Sequence, residues 1–201
     1  MENTLSEETL KKFEELPGEI RGATLKAYGD FVLKEEGKEE LEKLEKVMEQ
    51  VGYPIKYEEI KGMEFFPISY QAATIEVIKN ILNYGPEQFR ELGRFSAKFS
   101  LIVRLVAKYF FSVEKVIGRV ANIWRKHYTV GEVEIVEADT EQKHSIVRVK
   151  NFKVHPLQCE VLKGYLESLL QMVVGEERVG KETKCIFQGD EYHEFIFSPP
   201  S

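Results

Sequence analysis

The stretch Pro156–Ser198, PLQCEVLKGYLESLLQMVVGEERVGKETKCIFQGDEYHEFIFS, decides how the rest of the chain is read. Its first part, Pro156–Val174, keeps a helical period, with Leu162, Leu166, Leu169, Leu170 and Val173 on one apolar face. The period then changes. Thr183–Phe187 and Tyr192–Phe197 read as two strands joined by a short loop that contains Gly189-Asp190. Just upstream, Val133/Ile135 and Val147/Val149 alternate with polar residues, which is strand patterning again.

Working outward towards the N-terminus, the first two-thirds of the chain read as helices with one long connection among them. Leu25, Tyr28, Phe31 and Val32 fall at helical spacing, as do Leu41, Leu44, Val47, Met48 and Val51, which Gly52 and Pro54 bring to a stop. Tyr53–Phe66 reads as a long connection. Ile68–Asn83 resumes the period and ends at Gly85. Pro86 then starts a helix patterned through Tyr109, and Ser112 caps a further one carrying Val116, Val120 and Trp124. The order is several helices, two strands, one helix, two strands. It predicts an α+β fold: N-terminal helices plus a four-stranded antiparallel sheet, with a helix between the strand pairs. We read residues 1–201 as a single domain, helical over 1–128 and sheet-forming over 129–198.

Composition narrows the classes. With 43% hydrophobic and 31% charged residues, the chain can bury a core, and disorder or a fibrous repeat is excluded for the whole. Two cysteines, Cys159 and Cys185, are too few for a disulfide scaffold. Met1–Glu19 lacks the apolar core of an export signal. Phe95–Ile123 is broken by Lys98, Arg104, Lys108, Lys115 and Arg119, so no membrane span is expected and the expected location is cytoplasmic. The net charge of −6 is uneven: Pro86–Tyr128 carries nine Lys/Arg against three Glu, whereas Met1–Glu64 carries ten against seventeen acids. The basic segment is expected to pair with the chain's own acidic helices. No aromatic-interleaved reader accompanies it, which disfavours a nucleic-acid partner.

Four residues at the C-terminal end have the chemistry of a metal site: Cys159, Glu182, Cys185 and His193. Zinc accepts thiolate, carboxylate and imidazole, and structural sites usually hold four such ligands. Cys185 and His193 flank Gly189 symmetrically, so an antiparallel hairpin sets them opposite one another, about 5 Å apart at Cβ. Glu182 lies three residues before Cys185, and a regular strand would turn it to the other face. A bulge, or a position just before the strand begins, is needed to bring it in. By spacing alone, the same residues also suit two buried small hydrophobes, a disulfide, or a histidine on a surface strand.

Those residues also carry a resemblance. Cys159-Glu-Val-Leu-Lys-Gly164-Tyr165, then Glu182-Thr-Lys-Cys185, Gly189-Asp190 and His193, resembles the 4-vinyl reductase domain family of predicted hydrocarbon-binding proteins. The family pattern has a Cys before a Gly-Tyr helix, a Glu-x-x-Cys strand, a Gly-Asp turn and a further Cys. His193 stands where the pattern has that last Cys, a departure that keeps a valid zinc ligand. The resemblance implies a structural zinc at Cys159, Glu182, Cys185 and His193, beside a pocket for a small apolar or aromatic ligand. Upstream, Gly22–Gly52, Phe65-Phe66-Pro67-Ile-Ser-Tyr70 and Leu92-Gly93-Arg94-Phe95 are similar to the N-terminal helices of heme-nitric-oxide/oxygen-binding domains. The superfamily also includes vesicle-tethering subunits, which often pair.

The expected function is a non-catalytic, sensor-like module that binds a small molecule, with zinc as a structural cofactor. Phe95, Phe99, Ile102, Tyr109, Trp124 and Tyr165 are the expected pocket walls. Output would pass through a homodimer or a separate effector protein. The alternative is a ligand-free interaction module like the tethering subunits. A third reading, a heme gas sensor, is disfavoured because the Tyr-x-Ser-x-Arg motif of such sensors is absent. His127 reads as a residue favouring a helix dipole, His155 as a loop residue and His144 as a turn residue. An enzyme is not expected, since the chain has no phosphate loop, nucleophile elbow or His-Glu-x-x-His.

Overall fold

The computed structural model describes residues 5–99, 119–139 and 143–200. Among these are seven α-helices and six strands. The N-terminal part holds α1 (Glu7–Glu14), β1 (Glu19–Arg21), α2 (Gly22–Glu35), α3 (Lys38–Gln50), β2 (Phe65–Pro67), α4 (Ser69–Ile81) and α5 (Pro86–Phe99). After it come α6 (Val120–His127), β3 (Glu132–Asp139), β4 (His144–Lys150), α7 (Gln158–Val174), β5 (Val179–Lys184) and β6 (Tyr192–Ser198).

The expected sheet is present. Its strands run antiparallel in the order β3-β4-β6-β5, so α7 carries the chain from one strand pair to the other side of the sheet. Val133 pairs with Val149, Val147 with Phe195, and Val149 with His193. Alternation then puts Val147, Val149, His193, Phe195 and Phe197 on one buried face. The helices cover that face. Burying Phe195 and Phe197 completely removes their rings from water, worth roughly 2–3 kcal/mol each.

Two details differ from the sequence pattern. The connection Tyr53–Phe66 contains a 3₁₀ turn at Tyr57–Glu59 and the strand β2, which pairs with β1 through Ile20 and Phe66. A three-residue strand is too short to show alternation. The first C-terminal strand runs Val179–Lys184 rather than Thr183–Phe187, because Ile186–Gln188 is wound into a 3₁₀ turn. The Cys185 carbonyl accepts the N–H groups of both Gln188 and Asp190, and Gly189 takes φ 99°, which curls the chain out of the ladder.

Helices α5 and α7 cross at glycines. A Cβ on Gly164 would lie 1.9 Å from the Arg90 carbonyl oxygen, and one on Gly93 2.1 Å from that of Val161. Backbone touches backbone there. One turn along, buried Glu167 ties the pair together: it accepts from Arg90 and Arg94 on α5, and its Oε1 takes the Gly180 N–H at 2.7 Å. Burial works to raise its pKa, but these bonds outweigh burial and hold the carboxyl below the usual range. These two arginines belong to the basic segment; both pair with Glu167 of α7, and Arg94 also with Glu87 and Glu91 of its own helix. The rest of that segment's centre lies outside the described residues.

Candidate metal centre and adjoining cavity

Helix α7 begins between two different environments, and its first two residues face one each. The residues before it are anchored on α4: the His155 ring accepts the Leu157 N–H at 3.1 Å and bonds Glu76 at 2.8 Å. That bond from His155, helped by Lys79 and opposed by burial, pulls the Glu76 carboxyl down to about 2. The helix start is therefore held in place before any ligand is considered.

Cys159 points towards the β5–β6 hairpin. Its Sγ lies 3.8 Å from the Cys185 Sγ and 3.5 Å from the His193 Nδ1, and that Nδ1 is 3.3 Å from the Glu182 Oε1. One donor atom from each of the four residues fits within 4.8 Å of the others. The ladder explains the convergence. Glu182 pairs with Phe195, but Lys184 pairs with Glu194, so a bulge lies between them. Of the two arrangements the three-residue spacing allowed, the bulge is the one present, and it turns Glu182 to the same side as Cys185. Cys185 follows one position past the last pair, level with His193. Asp190 fixes it there, its carboxylate accepting the Cys185 N–H at 2.8 Å.

Electrostatics fits a cation at this point. His193 is almost fully buried and donates its Nε2–H to the Phe152 carbonyl at 3.0 Å. With Nε2 engaged there, Nδ1 is the nitrogen that faces the cluster. Burial, with the Glu182 charge next, pushes the Cys159 thiol far above its usual pKa, and burial also raises Cys185. For Glu182 burial acts upward, yet bonding to His193 and both cysteines leaves its carboxyl lowered. Thiols in this state are inert as nucleophiles and shed their protons only to a strongly bound cation.

Gln158 points the other way, towards a cavity of about 100 Å³ between α2, α6, α7 and the inner face of the sheet. Ala27, Val120, Trp124, Val149, Leu162 and Tyr165 form much of its apolar wall. Its polar end is made of Thr24, Tyr28, His127 and Gln158. Behind that end runs a buried network. The Gln158 Oε1 accepts from Tyr28 OH and from Gln71 Nε2, both at 3.0 Å, and Gln71 also reaches Tyr128 OH at 3.3 Å. Two polar atoms at the wall have no partner among the described residues: Gln158 Nε2 and His127 Nε2. His127 Nδ1 meets the Thr24 hydroxyl at 3.0 Å. Burial, with the charges of Arg21 and Lys126, lowers the His127 pKa to about 4. It is therefore neutral at physiological pH. It stands in the last turn of α6, the helix end its sequence position suggested, but largely buried at the cavity wall.

The structure thus brings together all four sequence-derived ligands. Of the expected pocket walls, Trp124 and Tyr165 line the cavity. Phe95 packs against Phe31, ring centroids 5.4 Å apart, and does not line it. The Phe99 side chain, Ile102 and Tyr109 lie outside the described residues. Sequence reasoning missed His127 and Gln158. The signal was available as a continuation of apolar stripes: His127 extends Val120 and Trp124, and Gln158 extends Leu162, Leu166 and Leu169.

In a comparison with solved structures, an H-NOX protein variant from Shewanella oneidensis in the Fe(II) ligation state superposes with a TM-score of 0.69. The match covers 90% of this chain and 97% of that one at 12% identity. The chain has the H-NOX fold. An unliganded Fe(II) H-NOX variant from K. algicida matches likewise, with TM-score 0.64, 11% identity, and 90% and 97% of the two chains covered. The phenol-responsive sensory domain of the transcription activator PoxR, solved with phenol, matches 70% of this chain and 78% of that one, with TM-score 0.52 and 13% identity. No family model matches the chain, and no curated protein matches it in sequence. No helix among the described residues is long and apolar enough to cross a membrane.

Proposed function

We propose that this chain is a non-catalytic small-molecule-binding module of the 4-vinyl reductase type, whose apolar cavity is braced by a structural zinc ion. One observation carries the reading. Consecutive residues at the start of α7 face the two features, Cys159 the donor cluster and Gln158 the cavity. A second bridge supports it: the Phe152 carbonyl holds His193, while the Phe152 ring packs on the cavity residues Trp124 and Tyr128, centroids 4.8 Å from each. A metal that fixes the cluster also fixes two walls of the cavity.

The donor distances suit zinc. Thiolate bonds of about 2.3 Å at tetrahedral angles set two sulfurs about 3.8 Å apart, and sulfur and imidazole nitrogen about 3.5 Å apart. The chain holds these atoms at 3.8 and 3.5 Å. Two thiolates, one carboxylate and one imidazole complete a four-ligand shell, so the ion's contribution is to staple α7 to the hairpin. Heme fits less well. The described residues lining the cavity include no Lys or Arg to meet its carboxylates, and about 100 Å³ is well short of a porphyrin's volume. An engineered apolar cavity of about 150 Å³ takes up benzene, which is the scale of ligand we infer here. Neither cysteine lines the cavity, in keeping with binding without covalent chemistry.

Trp124, the chain's single tryptophan, lines the cavity and reports on its occupancy. Apolar compounds of single-ring size are expected to shift its fluorescence and raise the melting temperature. No response to any such compound would overturn the binding reading.

A further inference from the structure

The acidic excess of Met1–Glu64 is not taken up by the arginines of α5, whose partners Glu167, Glu87 and Glu91 all lie outside that region. Part of it lines a groove of about 340 Å³ between α3 and the connection that follows. The floor of the groove is apolar, made of Ile55, Ile60 and Phe66. Its sides carry four carboxylates, Glu45 and Glu49 from α3 and Glu59 and Glu64 from the connection, against the single ammonium of Lys56.

The four carboxylates are not equivalent. Glu45 is 7% exposed and already engaged, accepting the Tyr57 N–H at 2.9 Å and the Lys56 ammonium at 2.8 Å. Glu64 meets Lys61 at 3.3 Å, an exposed pair worth little. Glu49 and Glu59 have no ion-pair partner among the described residues. The backbone that sets them is held on α2 and the core. Lys26 donates to the Glu58 carbonyl at 3.0 Å, the Gly22 N–H to the Glu64 carbonyl at 2.7 Å, and the Tyr57 hydroxyl meets that of Thr74 at 2.8 Å. The groove is therefore preformed, and little is lost to ordering it when something binds.

We propose that this groove docks a basic segment of a partner protein, which sets Lys or Arg side chains on Glu49 and Glu59 and an apolar side chain on Ile60 and Phe66. Charge complementarity is the first reason, four carboxylates standing against one ammonium. The spread of those carboxylates is the second. Among the described residues, only the Cys159 cluster brings three or more ligand groups close enough for one ion, so the groove suits separated cations and not a metal. The apolar floor is the third, since a small polyvalent cation would leave it uncovered. A second copy of the chain fits less well. Its α6 offers Arg125 and Lys126, but a helix seated in a groove joins unlike surfaces and propagates instead of closing into a dimer.

The test uses the full chain, calorimetry and an acetylated peptide holding two lysine-leucine-lysine repeats separated by glycine and serine. In one companion peptide glutamine replaces every lysine, in another glycine replaces every leucine, and spermine serves as the small polycation. The parent peptide is expected to bind at one site per chain, and each companion about tenfold more weakly or less. Glu49→Lys combined with Glu59→Lys should abolish that binding while melting temperature and zinc content stay unchanged. Glu132→Lys combined with Glu137→Lys makes the same charge change on β3 and should keep the affinity within about twofold. No binding of the parent peptide, or equal losses in the two double variants, overturns the proposal. Spermine binding as tightly as the peptide would reassign the groove to a small polycation. Self-association of the wild type that Glu49→Lys with Glu59→Lys abolishes would reassign it to a second copy. Each of these outcomes leaves the cavity and the metal centre untouched.

Discussion

His193 and His127 are both buried histidines, and the contrast between them separates the two regions of the site. His193 has both nitrogens engaged, Nε2 by the Phe152 carbonyl and Nδ1 within a cluster of two thiols and a carboxylate. His127 has one nitrogen on Thr24 and one at the cavity wall with no partner among the described residues. In the first region every polar atom has somewhere to go once a cation is present, so the corner is built to be rigid. In the second, apolar walls leave a polar atom waiting. Saturated polarity marks structure and unsaturated polarity marks recognition.

The largest effect is expected at the saturated corner. Cys185→Ala should remove the metal and lower stability by about 4 kcal/mol, or about 10 °C in melting temperature. Chelation of the wild type should approach the same value. A variant that keeps its zinc would break the contrast at once. Next comes the wall between the regions. Gly164→Ala drives a methyl into the Arg90 carbonyl and should cost about 3 kcal/mol by forcing α5 and α7 apart. Zinc content should stay unchanged, since the cluster lies on the other side of α7; loss of metal would show that the regions are not separable.

The third prediction concerns pH. The folded-state pKa of His127, about 4, lies below the unfolded value of about 6.5, so the native state binds fewer protons in between. Its contribution is complete above pH 6.5 and is lost as pH falls towards 4, on the order of 2–3 kcal/mol at the acid end. Glu76, with its carboxyl lowered to about 2, adds a further loss only below about pH 4.5. Denaturation of wild type and His127→Phe side by side should show the variant flatter between pH 6.5 and 4.5, and equal slopes would contradict the burial of a neutral imidazole. The smallest effect is Ala27→Ile, which fills the cavity. It should change stability by less than about 1 kcal/mol while abolishing uptake of apolar probes. A loss of 2 kcal/mol or more would indicate a core already full.

The two regions also differ in how far they were legible. The order of helices and strands, and with it the α+β fold, followed from the switch of period at Thr129 and again after Val174. The four candidate ligands were legible through their spacing together with the family resemblance, since spacing alone left other readings open, and strand geometry asked for a bulge or a pre-strand position at Glu182. The cavity was not legible in the same way. Trp124 and Phe95 have the same apolar character and similar helical spacing, yet one lines the cavity and the other packs on Phe31. Periodicity gives the buried face of a helix and says nothing about what lies opposite it. Gln158 and His127 were hidden by their positions in otherwise apolar stripes, where a polar residue acquires meaning only once its partners, or their absence, are known.

The central claim is that Cys159, Glu182, Cys185 and His193 bind one zinc ion that braces the cavity. Native mass spectrometry with elemental analysis tests it most directly, on wild type and Cys185→Ala purified side by side from zinc-supplemented cultures. The account predicts one zinc per wild-type chain and none in the variant. A wild-type protein free of metal, or a variant that retains the ion, would contradict it.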